Sequence, residues 1–403
     1  MTRLLRTRTV KTVERILGEA VQRSAIFLRA DSDNGPVCNV EGVELKNFGS
    51  CSYMAIEKHP RLMAGARDAL ERYGTQFAFS RAYLELPLYQ DLERLLDQIT
   101  GRHALVASTT TLGHLAALPV LVQDDDVVLI DQFAHSSCHM ATELLKGTTV
   151  ERLRHNRMDL LEERLIALGP SRRVWYVCDG VYSMLGDFAD FDRLSGLLAR
   201  YPNLHAYVDD AHAVSWTGRH GRGVALEKLG HCDRAIVALS MNKAFSAAGA
   251  VLALPSAALR TRIRRAGGPM LFSGPIQPPM LGAAVASAAL HLSPEFAGMQ
   301  AELSERILTA ERGIEEHGLR VANRDRTPIF MVQFESPKSL YDALDAIKAR
   351  GYYCCISTFP AVPMDKPSLR FTVSRHNSLA GIREFIADLA AIVHGGREVS
   401  ALA

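Results

Sequence analysis

From about residue 100 to 255, short apolar runs recur at intervals filled by longer, mixed segments. "ALVAS" (104–108), "VVLI" (127–130), "RVWYVC" (173–178), "LHAYVD" (204–209), "AIVAL" (235–239) and "GAVLAL" (249–254) read as strands buried on both faces. Between most of them lie segments long enough for crossover helices, such as 137–146, 158–168 and 190–201. This alternation predicts a doubly wound, mostly parallel sheet. The last two runs stand closer together, which fits a tight turn or an antiparallel excursion. Beyond about residue 290 the pattern changes. A long helical stretch (297–317) leads to strands "IFMVQF" (329–334), "YYCCI" (352–356) and "SLRFTV" (368–373), with helices at 337–350 and 378–394. The expected division is an N-terminal helical arm (1–50), a large α/β domain (51–290) and a smaller α+β domain (291–403).

Composition narrows the function without changing this picture. The chain has 403 residues, 48% hydrophobic and 22% charged, as an ordinary soluble globular protein would. Its net charge of +2 gives no reason to expect nucleic acid or a membrane surface as partner. The seven cysteines form no CxxC pair, and their odd number favours a reducing cytoplasm over a disulfide framework. The basic opening "MTRLLRTRTVKTVERILGE" lacks the apolar core of a secretory signal; it reads as an amphipathic helix rather than a transit peptide. No run of about 20 apolar residues predicts a membrane span.

One lysine stands out. "ALSMNKAFSAAGAVLAL" (238–254) is almost wholly small and apolar, with Lys243 as its one cation. A buried ammonium is costly unless it is paired or neutral. Lys243 either snorkels its amine to solvent or is a desolvated handle that reacts with a carbonyl. In an open α/β sheet, ligands collect at the carboxyl ends of the strands. There "VVLI" runs into Asp131 and His135, "RVWYVC" into "DGVYSMLGD", "LHAYV" into Asp209, Asp210 and His212, and "AIVAL" into Ser240 and Lys243. Singly, such aspartates are helix caps or turn residues and such histidines are structural. The D-D-x-H string has no further ligand at helical spacing nearby, so no metal is expected. The convergence of four strand ends is the stronger signal.

"DGVYSMLGDFADFDRL", "YVDDAHAVSWTGRHGRG" and "SMNKAF", in that order, resemble motifs of the α-oxoamine synthases. These are enzymes that depend on pyridoxal 5′-phosphate (PLP) and share the aspartate aminotransferase-like fold type I. The resemblance runs from about residue 46 to 376, and "GVYSMLGD" is most similar to the serine palmitoyltransferase form. It implies that Lys243 bonds PLP as a Schiff base, that Asp209 faces the pyridine nitrogen, and that His212 meets the phenolic oxygen. His135, in "AHSS", resembles the histidine that stacks on the ring. Thr110, Thr111 and Ser240 would hold the phosphate, and Ser183 would lie close to the cofactor. "LFSGPIQPP", with Ser273 and Gly274, resembles a loop that reaches the neighbouring subunit's phosphate, implying a homodimer with shared active sites. Arg370, in "SLRFTVSRHN", matches an arginine that grips the amino-acid carboxylate, with Arg375 as the nearby alternative.

Two stretches depart from the family pattern. Where relatives carry "GxGGSR" and then a histidine, this chain reads "YGTQFAFSRAYLELPLYQDLE": only Gly74 survives of the glycines, and Tyr89 or Gln90 replaces the histidine. A similar loss occurs in the autoinducer (aminoketone) synthases. "NFGSCSYMAIEKHP" resembles "NFSSNDYLGLAxHP", but Ser52, beside Tyr53, replaces the usual Asn or Asp. Phe77 and Phe79 either reshape the pocket towards a hydrophobic acyl chain or fill the core of the large domain. The expected reaction is condensation of an amino acid with an acyl thioester, from CoA or an acyl carrier protein, usually with decarboxylation, in secondary metabolism or signalling. The rivals are an aldolase or aminotransferase without a thioester, a silent partner subunit, and a hydrolase using Ser183, which lacks the G-x-S-x-G elbow. The cluster Arg260, Arg262, Arg264 and Arg265 either meets donor phosphates or forms a solvated helix face.

Overall fold

A computed structural model describes residues 7–32, 34–322, 325–359, 361–362 and 364–401. Residues 1–6 of the expected N-terminal helix lie outside the described residues; the remainder forms a helix over Thr7–Gln22.

The larger of two compact units holds Ile56–Tyr182 and Phe188–Gln300. Its seven-stranded sheet runs, in spatial order, His103–Ala107, Ala250–Leu254, Ala235–Ser240, Leu204–Asp209, Val174–Asp179, Val127–Asp131 and Thr149–Leu153. Ala250–Leu254 is antiparallel to both neighbours, and the remaining pairs are parallel. Helices such as Thr110–Leu121, Met158–Leu168 and Phe191–Arg200 fill the crossovers. The central strands are buried throughout, which is why they are continuous apolar runs. Thr149–Leu153 went unrecognised in the sequence because "TVERL" is an edge strand, mostly exposed and correspondingly polar. Parallel strands joined by crossovers all end on the same side, so Asp131, Asp179, Asp209 and Ser240 share one edge.

The smaller unit comprises the described residues of Met1–Ala55, Ser183–Asp187 and Ala301–Ala403. The expected division is corrected here, because the first 50 residues are not a separate helical arm. Strands Val37–Val40 and Val43–Asn47 form a hairpin, and the second pairs in parallel with Tyr352–Tyr353. Backbone hydrogen bonds to a strand some 300 residues later therefore decide where the N-terminal segment belongs. The run "YYCCI" is split in two. Tyr352–Tyr353 joins that sheet, whereas Cys355–Ser357 pairs with Ser368–Thr372, which also pairs with Ile329–Gln333. The short excursion Ser183–Asp187 is held by Arg370 Nε donating to the Ser183 carbonyl (2.9 Å) and Thr327 Oγ1 donating to the Gly186 carbonyl (2.7 Å).

Candidate active site

At the carboxyl edge of the large sheet lies a cavity of about 380 Å³, lined by Thr109, Thr110, Thr111, His135, Asp179, Asp209, His212, Ser240 and Lys243. Residues expected from five separate stretches are thus brought together. Lys243 sits in the hairpin between Ala235–Ser240 and the antiparallel Ala250–Leu254. Backbone bonds Met241 N to Gly249 O (2.9 Å), Ala247 N to Met241 O (2.8 Å) and Ser246 N to Lys243 O (2.9 Å) fix its shape. Gly249 closes the hairpin at φ +104, where an added Cβ would meet the Ala107 carbonyl at 2.9 Å. The neighbours Ala244 and Phe245 are buried, and Lys243 is half-buried with its side chain on the cavity. The apolar surroundings of the lysine in the sequence are therefore core, and the lysine is the part that faces the cavity.

Asp209 ends its strand and is buried. Its Oδ1 accepts the Ala211 amide (3.1 Å), and its Oδ2 lies 2.9 Å from His114 Nε2. Burial opposes the charge, but His114, Lys243 and His135 outweigh it and hold the carboxyl well below the usual carboxylate range. Thr109, on the same cavity, caps the helix Thr110–Leu121 by accepting the Leu112 amide (3.1 Å). Thr110 and Thr111 form its first turn, where unpaired backbone N–H groups favour an anion. Ser240 Oγ accepts the Asn242 amide (3.2 Å), holding the hydroxyl in the same cavity.

His135 precedes the helix Ser136–Thr142; its Nδ1 lies 2.6 Å from Ser137 Oγ, and its amide donates to Asp179 Oδ1 (2.9 Å). Desolvation moves its ring below the ordinary value, and Lys243 and His114 add to that against the pull of Asp209. Asp131 lies outside the cavity lining and holds the turns beside it. It accepts the amides of Phe133 (2.8 Å) and Asn156 (2.9 Å) and contacts His155 (3.2 Å). Asp210 is wholly buried, its Oδ2 accepting the Ala225 amide (2.9 Å) while Oδ1 has no partner among the described residues. Burial pushes its carboxyl up to about 7, against the Ala225 amide and with Asp209 adding to the rise. Among the described residues, the ligand-type atoms of His114, Cys138 and Asp209 gather within 4.8 Å of one another, a set that includes one member of the D-D-x-H string.

A carboxylate kept ionised, an amine and a helix N-terminus around one cavity fit a ligand with a basic ring nitrogen, an aldehyde and a phosphate. PLP has all three. The sequence profile of the class I and II aminotransferases matches residues 54–388. The chain belongs to this family. Its relatives include the 8-amino-7-oxononanoate synthase of Anaeromyxobacter dehalogenans, 32% identical over 362 residues and covering 89% of each chain. That of Pseudomonas putida is 30% identical over 364 residues, covering 89% of this chain and 91% of the relative. The fold is that of a serine palmitoyltransferase from S. paucimobilis (TM-score 0.88, 21% identity, 97% of this chain and 99% of that one). The enzyme of the same name from Sphingomonas wittichii gives a TM-score of 0.89 at 20% identity, over 97% and 98% of the two chains. The protein is an α-oxoamine synthase with PLP as its cofactor.

Other expected site residues of this synthase lie outside the cavity lining. Ser183 is in the smaller unit, where its carbonyl serves Arg370. Arg370 is buried and also approaches Cys51 Sγ (3.8 Å); Ser52 and Tyr53, both buried, follow that cysteine in the chain. Arg375 is engaged elsewhere, with Glu302 (2.9 Å) and the Met54 carbonyl (2.9 Å). Ser273 is half-buried and Gly274 exposed, the latter's carbonyl accepting from Ser108 Oγ (2.6 Å), next to Thr109. Phe77 is half-buried and Phe79 is 47% exposed, with ring centroids 5.2 Å apart, so the pair does not fill the core of the large unit. Arg264 is drawn into a network in which Arg81 meets Glu85 (2.7 Å) and Glu93 (3.1 Å), while Arg262 and Arg265 are exposed.

The sequence reading missed His114. It sits in "TTTLGHLAALPVL", a helix apolar all round, and a histidine there is the available signal: it must find polar partners or be costly to bury.

Proposed function

We propose that this synthase joins the α-carbon of an amino acid to the acyl group of a thioester, carried by CoA or an acyl carrier protein. The product is an α-amino ketone, formed with release of the donor's thiol and, usually, of CO2. The observation that carries the reading is the meeting of Lys243, Asp209 and the Thr110–Leu121 N-terminus around one cavity. PLP, when bound, supplies an aldehyde that bonds an amine and a ring that accepts the electron pair left by a departing proton. Lys243 would hold the cofactor and, as a free amine, would serve as the base for the amino acid's α-proton. Asp209 would keep a proton on the ring nitrogen, and His212 would hold the phenolic oxygen. Thr110, Thr111 and Ser240 hold the phosphate. His135 would pack against the ring, and it or His212 would donate to the thioester oxygen as negative charge develops there. Arg370 grips the substrate carboxylate; its burial without an ion pair to a described carboxylate supports that role.

The divergent segment 74–90 supports a substrate pair other than a housekeeping one, in secondary metabolism or signalling. The synthase works as a homodimer. Exposed apolar side chains on neighbouring segments, Tyr83 (84% exposed) and Phe272 (88%), with Ser80 Oγ bonded to the Leu271 carbonyl, support this. Seven free thiols fit the cytoplasm, and no helix of the described residues is long and apolar enough to cross a membrane.

The test is a spectrum of purified protein followed by a substrate panel. A near-visible band bleached by borohydride is expected, as is mass-identified amino ketone from one amino acid and one acyl donor. Turnover that needs no thioester would overturn the proposal.

A further inference from the structure

We propose that His114 is the positioning residue that fixes the charge and orientation of Asp209, and that Tyr207 sets its tautomer; this rests on the cofactor reading above. His114 is wholly buried, with Nε2 2.9 Å from Asp209 Oδ2 and Nδ1 2.8 Å from the Tyr207 hydroxyl. An ionised carboxylate only accepts, so the proton sits on Nε2. In the neutral ring Nδ1 must then accept, and the Tyr207 hydroxyl donates to it. Tyr207 is itself wholly buried, and burial pushes its own ionisation well up, so the hydroxyl keeps its proton to donate. With the Ala211 amide on Oδ1, both oxygens of Asp209 have a donor, and the plane of the carboxylate is fixed before any ligand arrives.

The placement of His114 adds a second consequence. It lies on the helix Thr110–Leu121, one turn beyond Thr110 and Thr111. One rigid element therefore offers its N-terminus to an anion and also holds the carboxylate. The span between the anion seat and Asp209 is set by that helix, as a ligand with phosphate at one end and a basic nitrogen at the other requires. Lys243, His135, Asp179 and Cys138 also face Asp209. His114 adds a side-chain hydrogen bond to it at 2.9 Å, which fixes Oδ2 in place.

The test compares His114→Leu, His114→Gln and Tyr207→Phe, each loaded with PLP labelled with 15N in the ring. The wild-type 15N shift should report a protonated nitrogen throughout about pH 6 to 9, whereas His114→Leu should titrate within that window. Its kcat should fall about 10–100-fold while the amino-acid KM moves less than about threefold, as for a lost outer partner. His114→Gln, which restores a donor to Asp209, should recover most of the loss, and Tyr207→Phe should fall between. A His114→Leu protein with the wild-type 15N profile, or a glutamine variant no better than leucine, would overturn the proposal. Should the leucine variant fail to fold, the glutamine and phenylalanine variants decide by the same shift. A wild-type protein with no cofactor band at all would instead overturn the reading beneath it.

Discussion

The carboxyl edge of the large sheet and the segment 74–90 belong to the same unit and are built on opposite principles. Along the edge, side chains such as Asp131, Asp209 and Ser240 are buried, and amides or ring nitrogens hold their polar atoms at fixed distances. In 74–90 the backbone has little regular structure, and Phe79, Tyr83 and Leu84 are exposed. Its firm point is Arg81, whose guanidinium lies 3.8 Å from the Tyr89 ring centroid and meets Glu85 and Glu93. Tyr89 in turn accepts the Ile276 amide at 2.7 Å. A preorganised edge suits chemistry that must not vary, and an anchored but open loop suits the choice of substrate.

Substitutions can break or sharpen that contrast. The largest effect is expected for Lys243→Ala: turnover falls by more than about a thousandfold while the fold persists. The borohydride-sensitive band measures it, and wild-type activity in the variant would remove the edge from the chemistry. Next comes Asp209→Asn, which should keep PLP but slow α-proton exchange roughly a hundredfold, since a neutral amide cannot hold the ring proton. Exchange of the α-proton into deuterated solvent reads this directly.

Asp210 gives a pH signature. Its folded value, about 7, is raised above the ordinary carboxylate value, so its contribution is full at low pH and is lost as pH rises through about 7. Read as the difference in stability between wild type and Asp210→Asn across pH by melting, this contribution should decline by roughly 2–4 kcal/mol between about pH 4 and 7. Parallel slopes would mean the buried carboxyl is silent. The smallest effect is expected in the loop. Phe77→Ala or Phe79→Ala should shift the ratio of products from competing short and long acyl thioesters by about tenfold. Melting should move little, because neither ring is core. An unchanged ratio would make the loop a mere spacer.

Much of this was legible in the sequence because parallel strands buried on both faces must be apolar, and their polar continuations then mark the carboxyl edge. Lys243, Asp209, His212 and His135 follow from that rule and from motif order. His114 does not, because its partners, Tyr207 and Asp209, are 93 and 95 residues away. The strand Thr149–Leu153 was hidden by its exposure, and the hairpin Val37–Asn47 by partners at the far end of the chain. For Phe77 and Phe79 an aromatic pair in an irregular segment has no period from which burial can be read.

The smaller unit also imposes a schedule on synthesis. Val43–Asn47 pairs with Tyr352–Tyr353, so the ribosome must add about 300 residues between making one strand and its partner. At about 5–20 residues per second the early hairpin waits roughly 15–60 s with that edge unmatched. The larger unit can meanwhile close on itself. Truncation before residue 352 should therefore leave the first 55 residues open to proteases, however well the rest has folded.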